Sequence, residues 1–261
     1  DSEIKNVLSH GYNNGSDMEE VAKSLMLKIL TTKKIKPYGL YKLKEKVANF
    51  CKIGNKSRES FAYTLNVIDK HTNVVVKTSQ KPNRYKDILR EYIIGIESLN
   101  HIRNIIPTIV YTLGAFVHDK KVYVVYEYIK GASVRELLSQ EKINYNGWLT
   151  IFVQILMTLE IAQRKSLFTH FDMHSDNVIV RDVPDDISSV ARSNCSGYDV
   201  MLDNHMYTVE EDAMIPVIID FGHSCALLRS TLTSTEDRRC IGSYEHPNHG
   251  MVNFIVPGND M

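Results

Sequence analysis

Two polar segments, each attached to an apolar element, constrain this chain more than any other feature. Residues 170–177 are His-Phe-Asp-Met-His-Ser-Asp-Asn and follow a predicted apolar helix over 147–165. Asp220 follows the apolar run Pro216–Ile219 and begins the tripeptide Asp-Phe-Gly. A carboxylate at the end of a buried strand is costly to bury alone, and a metal ion is a natural partner for it. The sequence therefore predicts a site whose carboxylate and amide groups sit at the ends of rigid elements.

The apolar pattern of the first half predicts a small sheet with one helix. Residues 1–50 are expected to form a helical N-terminal extension, with helices over 18–30 and 38–50. The elements that follow are, in order, strand, strand, helix, strand and strand, over residues 61–68, 73–78, 85–100, 107–116 and 121–128. Two hairpins on either side of one amphipathic helix predict an antiparallel sheet.

The second half is predicted to be mainly helical, with a few short strands. A short helix over 131–139 precedes the long apolar helix. Val178–Val180 is expected to be a short buried strand, and residues 181–197 are expected to be a polar loop. A hairpin over 198–209 turns at Asp203-Asn204 and precedes the last predicted strand.

Composition removes several classes of function from consideration. Lys+Arg and Asp+Glu number 31 each, so the net charge is zero and no general attraction to nucleic acid is expected. The four cysteines are widely spaced and form no CxxC pair, which favours a reducing compartment. No apolar stretch approaches the length of a membrane span, and no signal peptide is visible. We expect a cytoplasmic protein.

The residue types of the two polar segments fit phosphoryl transfer, which asks a protein mainly for positioning and charge. Asp172 is the candidate general base, or the carboxylate that orients a hydroxyl group. Asn177 lies five residues later and is a candidate metal ligand that adds no further negative charge. Asp220 is the second candidate ligand, because Mg²⁺ prefers hard oxygen donors.

Lys77 is the candidate cation of the site. It ends the apolar run Val74–Val76, and a lysine that faces inward from such a strand needs a phosphate or a carboxylate as partner. Glu91, in the following helix, is the candidate carboxylate, and Glu97 is the alternative. The other interpretations are an edge-strand lysine that points to solvent and an exposed Glu91 that pairs with a lysine at helical spacing.

The spacing His-x-Asp-x-x-x-x-Asn at 170–177, followed by a strand and Asp220–Gly222, resembles the catalytic and metal-binding loops of the protein-kinase-like superfamily. The run Val74–Lys77 resembles the strand that carries the nucleotide-binding lysine of that superfamily. The resemblance covers about residues 50–222. It implies that Lys77, paired with Glu91, holds the α and β phosphates of ATP, and that Asn177 and Asp220 hold Mg²⁺.

The segment that links the two halves is similar to the hinge of the same superfamily. Tyr126, Glu127 and Ile129, followed by Gly131, stand where the hinge makes backbone hydrogen bonds to adenine. The resemblance implies that Glu127 and Ile129 meet adenine through their backbones, and that Tyr126 lies behind it.

Several positions depart from the superfamily pattern. Gly54 stands where the first glycine of the phosphate-binding loop is expected, but Lys56 and Glu59 replace the next two, which weakens phosphate binding by backbone amides. Phe171 replaces the arginine that usually contacts a phosphate on the activation segment, so regulation by that route is not expected. No Ala-Pro-Glu motif follows Gly222, and the large lobe is therefore expected to be incomplete at the C-terminus.

His174 makes the catalytic segment atypical. Most serine/threonine protein kinases have lysine two residues after the aspartate, whereas haspin-like kinases and small-molecule kinases of the aminoglycoside and choline families have histidine there. The hairpin at 198–209 also resembles haspin, and it resembles serine/threonine kinases of large DNA viruses, which are the relatives that we favour.

Together these resemblances imply an α+β, two-lobed fold with a small antiparallel sheet lobe and a mainly helical, truncated large lobe. The expected limits are 51–128 for the first lobe and 129–261 for the second. The implied activity is transfer of the γ-phosphate of ATP to serine or threonine hydroxyls of a protein, with Asp172 orienting the acceptor. No nucleic-acid partner is expected. A viral source would locate the protein in the host cytoplasm or the virion.

Three alternatives stay open. His174 favours a small-molecule kinase, whereas the departures at the glycine loop and the short large lobe favour a non-catalytic pseudokinase that only binds. The third alternative is a metallohydrolase whose ligands alternate along one strand, at His170, Asp172, His174 and Asp176. That interpretation leaves Asn177, Asp220 and Lys77 without roles.

Overall fold

A computed structural model describes residues 19–20, 22–26, 51–53, 60–66, 73–79, 85–118, 121–181, 198–210, 214–227, 239–246 and 250–257. Contacts divide the chain into two compact units, Asp1–Asn100 with Tyr111–Tyr128, and His101–Val110 with Ile129–Met261. The expected lobe limits, 51–128 and 129–261, stay predictions. Gly54, the predicted helix over 38–50 and nearly all of the loop over 181–197 lie outside the described residues.

The first unit is built on a five-stranded antiparallel sheet. Its strands are β1 (Cys51–Ile53), β2 (Ser60–Asn66), β3 (Asn73–Ser79), β4 (Thr112–His118) and β5 (Lys121–Glu127). They are arranged in the order β1-β2-β3-β5-β4. β3 and β5 are rich in valine and tyrosine, which pack well on a pleated surface, and almost all of their residues are buried. β3 is therefore an interior strand, between β2 and β5.

One prediction about this sheet is wrong, because β4 begins at Thr112 and not at residue 107. The backbone groups of 108–110 pair elsewhere. Ile218 donates its N–H to the carbonyl oxygen of Thr108 at 2.8 Å, and Val110 donates to the carbonyl oxygen of Ile218 at 3.1 Å. A backbone group that is already paired cannot extend a second ladder.

A long helical segment begins at Tyr85, and its first part lies against the sheet. α1 (Tyr85–Ile94) continues into a π-helical segment, Gly95–Leu99, and then into α2 (Asn100–Arg103). The sequence predicted helix over 85–100, so the element is confirmed, and it is three residues longer than expected. α1 packs against β3, β4 and β5. Residues 19–20 and 22–26, within the helix predicted over 18–30, are also helical.

In the described part of the chain, the second unit combines two further helices with short strands. The helices are α3 (Val134–Ser139) and α4 (Tyr145–Ser166). The strands are β6 (Gly131–Ser133), β7 (Val178–Arg181), β8 (Tyr198–Leu202), β9 (His205–Val209), β10 (Ile215–Ile218), β11 (Cys225–Leu227), β12 (Arg239–His246) and β13 (Gly250–Pro257). They form sheets of order β10-β7-β6 and β11-β12-β13, and a separate hairpin of β8 and β9. No helix among the described residues is long and apolar enough to cross a membrane.

Residues 131–139 hold the expected short helix, which begins at Val134. Gly131 to Ser133 instead pair with β7 as strand β6. Ser133 then caps α3, because its hydroxyl oxygen accepts a hydrogen bond from the N–H of Glu136 at 3.2 Å. Gly131 has a φ of 155°, and a side chain there would overlap the carbonyl oxygen of Val180.

The long helix and the hairpin agree with their predictions. α4 covers the expected 147–165 and is capped at its start by Asn144, whose side-chain oxygen accepts from the N–H of Gly147 at 2.8 Å. The turn between β8 and β9 uses Asp203 and Asn204 at φ values of 49° and 63°. These are the left-handed conformations that a two-residue hairpin turn requires.

Candidate active site

Lys77 and Glu91 form a buried ion pair in the first unit. The Lys77 Nζ atom donates to Oε1 of Glu91 at 2.9 Å, and the two side chains are 10% and 2% exposed. The interpretations of Lys77 as an edge-strand lysine and of Glu91 as an exposed helix residue are therefore wrong. A buried pair of this kind is held by a charge-assisted hydrogen bond.

Tyr126 completes this group of side chains. Its hydroxyl donates to the same Oε1 atom of Glu91 at 2.9 Å, and the residue is only 5% exposed. The sequence predicted a place for Tyr126 in the hinge but no role for its hydroxyl. The position of this hydroxyl depends on the register between β3, which carries Lys77, and β5, which carries Tyr126. Strand register cannot be deduced from local sequence pattern alone.

The other two hinge residues are also buried. Glu127 donates its N–H to the carbonyl oxygen of Tyr111 at 3.0 Å, and its side-chain Oε1 accepts the N–H of Tyr111 at 2.8 Å. Its carboxylate therefore adds a hydrogen bond at the end of the β4–β5 pair. Ile129 begins the second segment of the other unit and is 5% exposed.

His170 anchors the catalytic segment of the second unit. Its Nε2 atom lies 3.1 Å from the carbonyl oxygen of Ile219, and its Nδ1 atom accepts the N–H of Asp172 at 3.4 Å. These partners fit a neutral ring with the proton on Nε2. Burial lowers the pKa of His170 below its usual value, against the raising effects of the Ile219 carbonyl and of nearby carboxylates. Phe168 and Phe221 pack edge-on around the ring.

Asn177 ties the catalytic segment to the strand that precedes Asp220. Its side-chain Nδ2 donates to the carbonyl oxygen of Asp172 at 2.9 Å, and its N–H donates to the carbonyl oxygen of His174 at 2.9 Å. Its own carbonyl oxygen accepts the N–H of Ile219 at 3.0 Å. Because the amide nitrogen is turned toward Asp172, the amide oxygen is the atom that can coordinate a cation.

Asp220 follows β10 in a strained backbone conformation. Its φ is 62°, and its Oδ1 atom accepts the N–H of Gly222 at 3.2 Å. Phe171, in the catalytic segment, has a φ of 60°. Left-handed conformations are unfavourable for residues with bulky side chains and cluster at functional sites. The next residue, Phe221, is fully buried, and it anchors the backbone beside the Asp220 carboxylate.

His174 lies between two carboxylates at the surface. Its Nε2 atom is 3.8 Å from Oδ2 of Asp172, and its Nδ1 atom accepts the N–H of Asp176 at 3.2 Å. Asp176 is held in turn by Arg135, at 2.9 Å between Oδ1 and Nε. His174 is thus oriented by its neighbours so that Nε2 faces the candidate catalytic carboxylate.

The geometry does not support the metallohydrolase interpretation. The strand begins only at Val178, so residues 170–177 do not alternate along one strand face. His170 is buried, whereas the side chains of Asp172, His174 and Asp176 are each more than 40% exposed. In the part of the chain that the structure describes, no group of three or more His, Cys, Asp and Glu side chains is placed to hold a metal ion.

Asn177 and Asp220 do fit a magnesium site of a different kind. Mg²⁺ is usually held by one or two carboxylates together with water and the phosphates of a nucleotide, and it needs no all-protein cage. One amide oxygen and one carboxylate match that donor set. The bond from the N–H of Gly222 to Oδ1 of Asp220 and the Asn177 side-chain bond to Asp172 orient these donors.

Comparison with known proteins found a matching family and several similar sequences. The protein kinase domain family matches residues 58–244. The protein named Probable kinase 098L, from Invertebrate iridescent virus 3, is 32% identical over 208 residues, which are 80% of this chain and 36% of that protein. Dual specificity testis-specific protein kinase 1 of Mus musculus and of Rattus norvegicus is 28% identical over 109 residues, covering 41% of this chain and 16% of those proteins. The chain therefore spans well under half the length of these relatives.

Solved structures include a similar kinase domain. A crystallised kinase domain has a TM-score of 0.45 and 19% identity, covering 66% of this chain and 49% of that one. The family match over 58–244 defines the class as a protein kinase domain, with the α+β, two-lobed kinase-like fold. This chain belongs to the protein kinase domain family.

Proposed function

We propose that this chain is the catalytic part of an ATP-dependent kinase that phosphorylates serine and threonine hydroxyls of a protein. The observation that carries the proposal is the hydrogen-bonded catalytic segment. Asn177 is bonded at 2.9 Å to the carbonyl oxygen of Asp172 and, through its own carbonyl oxygen, at 3.0 Å to the residue before Asp220. One network thus orients a candidate base and two candidate metal ligands.

Each residue has a defined task in the proposed reaction. Bound ATP and Mg²⁺ would supply the phosphoryl group and would neutralise the charge on its oxygens. Asn177 and Asp220 would hold the metal, and Lys77 would bind the α and β phosphates while Glu91 orients it. Asp172 would orient the acceptor hydroxyl and accept its proton, in line with general-base catalysis. The backbones of Glu127 and Ile129 would bind adenine.

The same proposal includes the limits of the two lobes, the protein substrate, and a location in a cytoplasm or a virion. The viral relative supports the location, because Invertebrate iridescent virus 3 carries a similar protein. Detection of the protein in fractionated infected cells would test it. Recovery in a secreted fraction alone would contradict it.

The direct test is transfer of label from γ-labelled ATP by the full-length protein to a serine- and threonine-rich protein acceptor. We expect Asp220→Ala to lower the activity at least about a hundredfold, because it removes a ligand of the metal that would neutralise transition-state charge. Asp199→Ala is a matched control, since Asp199 is an exposed aspartate on the hairpin that bonds Thr208. Unchanged labelling with Asp220→Ala would refute the role of Asp220.

His174 supports a second candidate, a small-molecule kinase. Its Nε2 atom faces Asp172, in the position where protein kinases usually carry a longer lysine side chain. Parallel assays with protein acceptors, an aminoglycoside and choline distinguish the two activities. Preferential labelling of a small molecule would replace the protein-kinase proposal, whereas phosphoserine and phosphothreonine in the acid hydrolysate of a protein acceptor would support it.

A further inference from the structure

Two side chains of the first unit donate to one carboxylate oxygen of a third. Lys77 and Tyr126 both donate to Oε1 of Glu91, each at 2.9 Å. We infer that Tyr126 is a positioning residue, whose hydroxyl holds Glu91 in the conformation that pairs with Lys77. This inference rests on the proposed function, because it concerns how Lys77 is prepared to bind nucleotide.

Strand register brings Lys77 and Tyr126 to the same face of the sheet. Val75 is directly opposite Tyr126 in the β3–β5 pair, and Lys77 is opposite Val124. Side chains two residues apart on one strand share a face, so Lys77 is the diagonal neighbour of Tyr126. Diagonal neighbours lie about 7–8 Å apart, which leaves room for one carboxylate between a lysine and a tyrosine head group.

The helix supplies that carboxylate. α1 packs on β3 and β5 and buries Glu91, which is 2% exposed. A carboxylate in such surroundings is stable only when hydrogen-bond donors satisfy it. Lys77 supplies a flexible donor on a four-carbon stem, whereas Tyr126 supplies a rigid donor with two side-chain torsions. The rigid donor therefore restricts where Oε1 can lie, and Oε1 in turn restricts the Lys77 ammonium group.

The side chain of Tyr126 thus acts on the nucleotide indirectly. Its hydroxyl is directed at the helix carboxylate, so its effect on ATP passes through Glu91 and Lys77. An effect that passes through another residue disappears when that residue is replaced. This dependence distinguishes a positioning role from a general contribution of Tyr126 to folding, which would persist in every background.

A double-mutant cycle on the full chain tests the inference, with the dissociation constant of ATP·Mg²⁺ as the measurement. We expect Tyr126→Phe to weaken binding by about three- to tenfold, in the range set by loss of one ordinary hydrogen bond. In the Glu91→Leu background, which has no acceptor for the Tyr126 hydroxyl, we expect the same change to cost less than about twofold. Thermal unfolding of each variant checks that it is folded.

Tyr123→Phe is the matched control. Tyr123 is a buried tyrosine on the same strand, and it stacks on Phe116 on the opposite face from Tyr126. We expect this variant to bind ATP·Mg²⁺ as the unmodified protein does. Equal weakening by Tyr126→Phe in both Glu91 backgrounds, or no weakening in either, would overturn the inference.

A second measurement needs no nucleotide and so separates the inference from the proposed function. The rate at which Lys77 is acylated by an amine-directed reagent can be followed by mass spectrometry of the apo protein. We expect Tyr126→Phe to raise this rate about threefold or more, and to have no effect when Glu91 is replaced by leucine. If the unmodified protein binds no ATP, the proposed function fails. Equal rates of Lys77 labelling in the unmodified protein and in Tyr126→Phe would independently overturn the role of Tyr126.

Discussion

Gly95, at the start of the π-helical segment, is packed directly against Thr112 at the start of β4. A side-chain carbon added at Gly95 would lie 2.9 Å from Cβ of Thr112 and would overlap its hydroxyl oxygen. Asn100 reinforces this contact, because its side chain bonds both the carbonyl oxygen and the N–H of Thr112, at 2.8 and 2.9 Å. Glu91 lies one helical turn before Gly95. The approach of helix to sheet is therefore set next to the carboxylate that pairs with Lys77.

We predict that Gly95→Ala destabilises the protein by about 1–3 kcal/mol, the usual cost of adding a group to a filled interior. The helix can accept the methyl group only by moving away from β4, so ATP binding should weaken as well. Urea unfolding and ATP titration measure the two effects. Gly95→Ala combined with Thr112→Ala should recover part of both losses, because Thr112→Ala removes the overlapping oxygen. A fully stable Gly95→Ala protein would contradict the packing argument.

Stability should depend on pH through His170. Burial lowers its pKa in the folded protein below 6.5, so below that pH the unfolded chain binds more protons than the folded one. Stability is then fully present above pH 6.5 and is lost as the pH falls through the folded pKa. Urea unfolding between pH 5 and pH 8 should show this loss (a range spanning the usual histidine pKa of about 6.5). His170→Phe should flatten the dependence, and an unchanged slope would exclude His170 as its source.

Gln154 should matter more for stability than its place on a helix suggests. It is 1% exposed, its Nε2 atom donates to the carbonyl oxygen of Met214 at 2.8 Å, and its Oε1 atom accepts from the Tyr198 hydroxyl at 2.7 Å. We predict that Gln154→Leu costs about 2–3 kcal/mol, because it removes two side-chain hydrogen bonds made by a buried residue. Tyr198→Phe should cost less, and the two changes should not be additive. Chemical unfolding of the four proteins measures this, and simple additivity would argue against a shared network.

The tip of the β8–β9 hairpin carries an exposed ion pair with α4. Arg164 hydrogen-bonds Asp203 and also contacts Glu160, and the hydrogen bond from Arg164 lowers the pKa of Asp203 below its usual value. We predict that Arg164→Ala returns the Asp203 pKa toward its ordinary range, as followed by NMR titration of the carboxyl carbon. Because both side chains are solvent-exposed, unfolding stability should change little. An unshifted Asp203 titration would contradict the assignment.

Much of the fold could be predicted from local pattern. The valine run ending at Lys77, the apolar helix that became α4 and the Asp203-Asn204 turn depend on side chains two to four residues apart, and each formed the expected element. The catalytic segment at 170–177 and Asp220 were likewise identified by spacing, and their proposed roles stay predictions. Local periodicity is strong enough to specify such elements because it matches the strand and helix periods.

Other features could not be predicted, because they depend on partners distant in sequence. β4 begins at Thr112 since the backbone of Thr108 and Val110 is bonded to Ile218, more than a hundred residues later. The π-helical segment accompanies the close contact between Gly95 and Thr112. In both cases the two partners are more than a dozen residues apart, so a local sequence pattern does not include both of them.

By itself, the sequence determined the order of the elements from β2 to β10 apart from β6, the family to which the chain belongs and the residues that can supply a cation, a base and metal ligands. Only the tertiary structure decided that Glu91, and not Glu97, is the partner of Lys77, and that the Tyr126 hydroxyl shares the same carboxylate oxygen. Sequence periodicity indicates which face of an element a side chain occupies. Which side chains come within 3 Å of one another also depends on the strand register and on the packing of α1. Those depend on burial and hydrogen bonding across the whole unit.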